Sequence, residues 1–232
     1  MSRRLAFLLI IITVLLFIPT VRAQDIQQLE LDKSISYTFA NDNEQFFGQF
    51  QASKGDLVSL TAKYDGFVIG TLEPELRDTI GRSIGLKADY SFQHFALAEI
   101  PADGTYTVVI NSEKAATVNI FLHKTYYLSS TPVEVQFSAD DSPLFFGLKV
   151  DKAGDYAVSL NRIDGKLSTQ FAIQALGQYF NETLLQVGGS VVSEWTATVP
   201  LDPKQQYFAA IDNTLLSTTG STATVQISVT AK

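Results

Sequence analysis

Few residues in this chain combine type and spacing in a way that suggests chemistry. Gly81-Arg82-Ser83-Ile84-Gly85 fits Gly-x-Ser-x-Gly, the turn that exposes a nucleophilic serine in one class of hydrolases. That chemistry needs a base, and His94 and His123 are the only histidines. It also needs a strand before the serine and a helix after it. Arg77-Asp78-Thr79-Ile80 reads instead as a turn, and no helical period follows Gly85. A serine hydrolase using Ser83 is therefore the minor alternative, and no catalytic residue is assigned. Asn41-Asp42-Asn43-Glu44 and Asp140-Asp141 gather oxygen ligands in two loops. Asp42, Asn43, Glu44, Asp140 and Asp141 are the candidates for a structural Ca²⁺, which takes about 6–8 oxygens. Neither loop has EF-hand spacing, and solvated turns account for the same residues. Nothing points to another cofactor.

Aromatic residues supply the other candidates. Tyr64, Phe67, Tyr90, Phe92, Phe95, Tyr126, Tyr127, Tyr179, Phe180 and Trp195 either pack cores or leave an exposed subset for sugar rings or a partner protein. Tyr126 and Tyr127, near the middle of the chain, are the candidate binding surface. Asn181-Glu182-Thr183 is a glycosylation sequon.

The elements that position these groups are strands. Ala223, Val225, Ile227 and Val229 alternate with polar neighbours, as do Val118, Ile120 and Leu122, then Tyr106, Val108 and Ile110, and Ile35, Tyr37 and Phe39. This period of two, with β-branched and aromatic residues, sends alternate side chains inward. Turn signals punctuate the runs at Gly55-Asp56, Asp65-Gly66, Asp103-Gly104 and Gly188-Gly189. The pattern predicts an all-β chain of antiparallel sandwiches. Gln170 to Leu185 is the one stretch that also fits a short helical turn.

The chain repeats itself. Phe46-Phe47-Gly48, Gly55-Asp56, Asp65-Gly66 and Ile100-Pro101 recur 99 residues later as Phe145-Phe146-Gly147, Gly154-Asp155, Asp164-Gly165 and Val199-Pro200. Tyr106 and Ile110 match Tyr207 and Ile211 at 101. Two units of domain size follow, spanning residues 24–127 and 128–232, with Leu128 to Pro132 as the linker.

Residues 1–23 read as a signal peptide. Arg3-Arg4 precede an uncharged apolar run from Leu5 to Ile18, and Val21-Arg22-Ala23 offers a cleavage site after Ala23. The run is shorter than the ~20 residues of a spanning helix. Cleavage leaves 14 Lys and Arg against 24 Asp and Glu, a balance of −10. Such acidity argues against nucleic acid or an anionic membrane surface as partner. No cysteine is present, so packing must stabilise the exported chain without disulfides.

The punctuation resembles the bacterial pre-peptidase C-terminal domain. Unit one offers Gln45-Phe46-Phe47-Gly48, then Gly55-Asp56-Leu57, then Asp78-Thr79-Ile80-Gly81, then Ile100-Pro101-Ala102-Asp103-Gly104-Thr105-Tyr106. Unit two keeps Gly154-Asp155-Tyr156 but ends in Pro203-Lys204-Gln205-Gln206-Tyr207, and is the more divergent copy. The resemblance implies a jelly-roll-like sandwich and a non-catalytic accessory role. It also implies some affinity for Ca²⁺, since related sandwich modules in collagenases bind it. The expectation is a secreted binding or accessory module facing a polysaccharide or protein of the extracellular space or envelope. The alternative is a structural spacer.

Overall fold

The structure, a computed structural model, describes residues 26–90, 93–138, 143–165, 169–176, 181–187, 194–213 and 222–232. The proposed signal and its cleavage site at Ala23, and Asp140, Asp141, Phe92, Tyr179, Phe180 and Gly188-Gly189, lie outside the described residues. Every regular element described is a strand. The first half holds β1 (Gln27–Gln28), β2 (Lys33–Thr38), β3 (Glu44–Ala52), β4 (Leu57–Tyr64), β5 (Leu72–Arg77), β6 (Ser83–Ile84), β7 (Leu86–Tyr90), β8 (Gln93–Glu99), β9 (Gly104–Ser112) and β10 (Thr117–Thr125). The second holds β11 (Tyr127–Leu128), β12 (Val133–Ser138), β13 (Leu144–Leu148), β14 (Gly154–Gly165), β15 (Thr169–Ala175), β16 (Glu182–Val187), β17 (Glu194–Leu201), β18 (Tyr207–Asn213) and β19 (Thr222–Ala231). Gln170 to Leu185 therefore contributes two paired strands and no helical turn among its described residues.

The strands form four sheets. Two come from the first half, ordered β1-β3-β9-β5-β6 and β2-β10-β4-β8-β7. Two come from the second, ordered β11-β13-β18-β15-β16 and β12-β19-β14-β17. Apart from β7, the second pair reproduces the first strand for strand. Each half is a β-sandwich with its own core, antiparallel except where two-residue β1 and β11 pair with β3 and β13 in parallel. Phe46, Phe50, Val58, Leu60, Tyr106, Val108, Ile110 and Val118 belong to the first core. Phe146, Leu148, Val158, Leu160, Phe171, Tyr207, Ile211 and Val225 belong to the second. Burying each such side chain contributes about 1.5–3 kcal/mol.

The Tyr corner is shared. Tyr106 buries its ring, and its hydroxyl donates to the Ala102 carbonyl at 2.6 Å. Tyr207 is also buried, and its hydroxyl accepts the Asp202 N–H at 2.7 Å. A buried hydroxyl must find a partner, and the turn backbone supplies one.

The Phe-Phe-Gly repeat sits one residue out of register between the two halves. Phe50 pairs with Tyr106 and Leu148 with Tyr207, while Phe46 pairs with Ile110 and Leu144 with Ile211. Leu144 therefore occupies the place of Phe46, and Phe145 faces the other way. A shift of one residue sends every side chain to the opposite face. Phe46 lies in the first core, whereas Phe145 leaves its own sandwich and packs against the first half. Leu128 differs from the linker reading too: it is buried in the second core and pairs with Leu148 within β11.

Candidate functional site

A third apolar cluster joins the two sandwiches. Leu57, Tyr90, Phe95 and Leu97 from the first half meet Phe145, Ala172, Phe208 and Ala210 from the second. Strand β4 contributes Leu57 to this wall. Val58, Leu60 and Ala62 enter the first core, so Leu57, Ser59 and Thr61 emerge on the opposite face. That face is buried as well. Strand β13 is apolar throughout because both of its faces are covered. Phe145 stacks on Phe95 with ring centroids 3.7 Å apart and planes within 6°. Tyr90 and Phe208 meet it edge-on at 5.8 and 6.1 Å. Hydrogen bonds also cross the junction: the Thr125 hydroxyl donates to the Phe145 carbonyl at 2.5 Å, and the Asn181 amide donates to the Asp89 carbonyl at 2.8 Å. The sequon side chain thus serves as a junction contact.

Tyr126 and Tyr127 part ways here. Tyr127 lies over Gly147, where a Cβ would come within 2.5 Å of its ring. Its hydroxyl donates to Glu99 at 2.9 Å. Lys149 donates to the same carboxylate at 2.6 Å, with its ammonium 4.2 Å from the Tyr127 ring centroid. The Lys149 hydrogen bond, then that of Tyr127, holds the Glu99 carboxyl below the usual carboxylate range. Glu99 in turn raises Lys149, while burial is the main cause pushing the Tyr127 phenol up. A carboxyl lowered by folding favours the folded state above its unfolded value of about 4.3, and loses that contribution as pH falls through the folded value. The pair is largely exposed, with side chains 65% and 46% accessible. Glu99→Gln should therefore cost only a few tenths of a kcal/mol at pH 7. Wild type and variant should converge near pH 2–3 in denaturant titrations at each pH. A gap that persists at acid pH would show that packing, not charge, is involved.

Tyr126 turns to the other side and is 50% exposed. It borders a groove of about 330 Å³ with Asp32, His123, Glu134 and Gln136. The cleft on the Tyr127 side, about 610 Å³, is floored by Leu57, Leu86, Leu97 and Val150.

Ser83 does not stand in a nucleophile turn. It begins two-residue β6 and pairs with Arg77. Asp78 organises the hairpin, accepting the N–H groups of Ile80 and Arg82 at 3.0 and 2.9 Å and the Arg82 guanidinium at 2.9 Å. Those contacts hold the Asp78 carboxyl below its ordinary range, the Arg82 N–H first. His94 pairs with Asp89 across the β7–β8 hairpin, and His123 lies 3.8 Å from Asp32.

The first acidic loop spends its oxygens on the backbone. Glu44 accepts the N–H groups of Ala40 and Asn41, both at 2.9 Å. Asp42 accepts that of Ala115 at 2.8 Å. Asn43 takes a positive φ of 58°, a conformation Asn tolerates well. Among the described residues, no three His, Cys, Asp or Glu converge as a metal site.

One feature escaped sequence reasoning. Loop 65–71 between β4 and β5 carries Phe67, 93% exposed, and Ile69, 79% exposed. Its base is fixed. The Tyr64 hydroxyl donates to the Thr71 carbonyl at 3.1 Å. Thr71 donates to the Glu113 carboxylate at 3.0 Å, and Glu113 N–H returns to the Thr71 carbonyl. A pinned base and an outward apolar tip make a finger. Phe67 was legible as an aromatic, but not as an exposed one, because an Asp-Gly turn followed by Phe-Val-Ile also reads as the start of a buried strand.

No protein-family model matches the chain, and no curated protein matches it in sequence. Among solved structures it is similar to the pre-peptidase C-terminal domain of collagenase from Bacillus anthracis: 9% identity and TM-score 0.37, covering 44% of this chain and 97% of that one. It is similar to PliG, a periplasmic lysozyme inhibitor of g-type lysozyme from Salmonella Typhimurium: 20% identity and TM-score 0.28, covering 41% and 97%. It is also similar to the CUB1-EGF-CUB2 domains of rat MASP-1: 9% identity and TM-score 0.26, covering 87% and 100%. No function is carried across from overlaps this slight.

Proposed function

We propose that this is an exported, non-catalytic binding module whose finger, Phe67 to Ile69, docks onto an extracellular protein or polysaccharide. The N-terminal segment supplies export, as its charge and apolar pattern suggest. The observation that carries the reading is the exposure of Phe67 and Ile69 on a loop whose base is held. Large apolar side chains so exposed favour burial against a partner by about 1.5–3 kcal/mol each. A pinned loop also loses little freedom on docking.

The test is retention on insoluble cellulose, chitin and peptidoglycan and on immobilised collagen. Wild type is expected to be retained on at least one. Phe67→Ser/Ile69→Ser is expected to lose that retention while its stability stays within about 0.5 kcal/mol, as for other exposed positions. Retention on none of them, or equal retention of the variant, contradicts the reading. The joined sandwiches favour a second reading, a stiff spacer, and the first of those outcomes supports it.

A further inference from the structure

We propose that the groove beside Tyr126 is a binding subsite for one or two residues of a neutral sugar. It is separate from the finger and is built by both sandwiches. Strand β10 and its exit supply His123 and Tyr126, and the turn before β2 supplies Asp32. Strand β12 of the other sandwich supplies Glu134 and Gln136, two apart and both exposed, so they share one face of an edge strand.

The chemistry is that of a hydroxyl-rich ring with an apolar face. Tyr126 offers a half-exposed aromatic surface to sugar C–H groups. Carboxylates accept from hydroxyls, and the Gln136 amide both donates and accepts. Asp32 is set in place: its backbone has a positive φ of 62°, and its carboxylate accepts the Lys124 N–H at 3.0 Å. The Lys124 ammonium is held by Asp56 at 2.7 Å. Asp32 and Glu134 thus leave the groove net acidic, which disfavours uronates and phosphates. A purely cationic ligand would leave the donor groups unused. At about 330 Å³ the groove lies at the low end of ligand sites, which span ~300–1,000 Å³, so it fits a short stretch of glycan.

The full chain would be titrated with cellotetraose, N-acetylchitotetraose and mannotetraose, with tetragalacturonate and choline as charged controls, by calorimetry and by ¹⁵N–¹H spectra. At least one neutral tetrasaccharide is expected to bind and to shift amide signals around both Tyr126 and Glu134–Gln136. Tyr126→Ala should weaken that binding about tenfold or more without lowering the melting temperature, and Gln136→Ala should weaken it less. Amide shifts confined to the groove, with none at Phe67 to Ile69, separate this site from the finger. No neutral sugar binding at about 10 mM, binding unaffected by Tyr126→Ala, or preference for tetragalacturonate or choline would each overturn the proposal.

Discussion

Phe145→Ala is expected to turn one cooperative unit into two. The side chain is fully buried, yet it belongs to neither sandwich core. Its contacts are Phe95, Tyr90 and Phe208, at the junction. Truncating a buried Phe costs about 3–5 kcal/mol through lost transfer and the cavity left behind, and each aromatic pair contributes about 0.5–1.5 kcal/mol of that. Both cores keep their own contacts, so the loss falls on the coupling between halves. Calorimetry should show one transition for wild type and two, with the first at lower temperature, for the variant. A single transition with a loss under about 1 kcal/mol would mean that Phe145 does not carry the coupling between the halves.

The second large effect is expected at Gly85. Strand β6 lies at the edge of one sheet and β7 at the edge of the other, and Gly85 alone separates them. The chain changes sheets there with φ at +75°. A Cβ at this position would stand 2.5 Å from the Ala98 Cβ and closer still to the Leu97 carbonyl oxygen. Backbone cannot yield as a flexible side chain can. Gly85→Ala therefore adds left-handed strain of about 1–2 kcal/mol to overpacking of about 1–3 kcal/mol. Gly81→Ala, in the same hairpin at φ +84° but with open space around it, isolates the first of these. In urea titrations Gly85→Ala should lose about 2–5 kcal/mol and Gly81→Ala about 1–2 kcal/mol. Equal losses would mean that the close approach to β8 does not matter. The displaced strand is β7, whose Tyr90 covers Phe145, so Gly85→Ala should also loosen the junction.

Much of the fold was legible because period-two patterning reports one buried face per strand. Ala223 to Val229 and Val118 to Leu122 show this, and their inward residues are those the alternation selects. The junction was not legible for the same reason. Ser59 and Thr61 carry the outward polar signature, yet both are buried, and no local pattern says that an outer face will be covered. The Phe-Phe-Gly repeat misled because two adjacent phenylalanines hide a shift of one residue. Only the pairing of Leu148 with Tyr207 places Phe145 on the junction side. The Gly-x-Ser-x-Gly match had its explanation in Asp78, whose contacts need a turn with glycine at its end. In the candidate site, Tyr126 and Tyr127 were found from their position between the units. Their division into one groove residue and one packed residue follows because adjacent side chains leave an extended backbone on opposite sides as the chain enters β11 at Tyr127.

The groove at Tyr126 requires the two sandwiches to move as one body, because both supply its walls. Residual dipolar couplings of backbone amides in a dilute aligned medium test this directly. Couplings from residues 27–125 and from 127–231 should fit one shared alignment tensor in wild type, and should separate into two in Phe145→Ala. Two unequal tensors in the wild-type protein would contradict a single body, since two halves joined through Phe95, Phe145 and Phe208 cannot align independently.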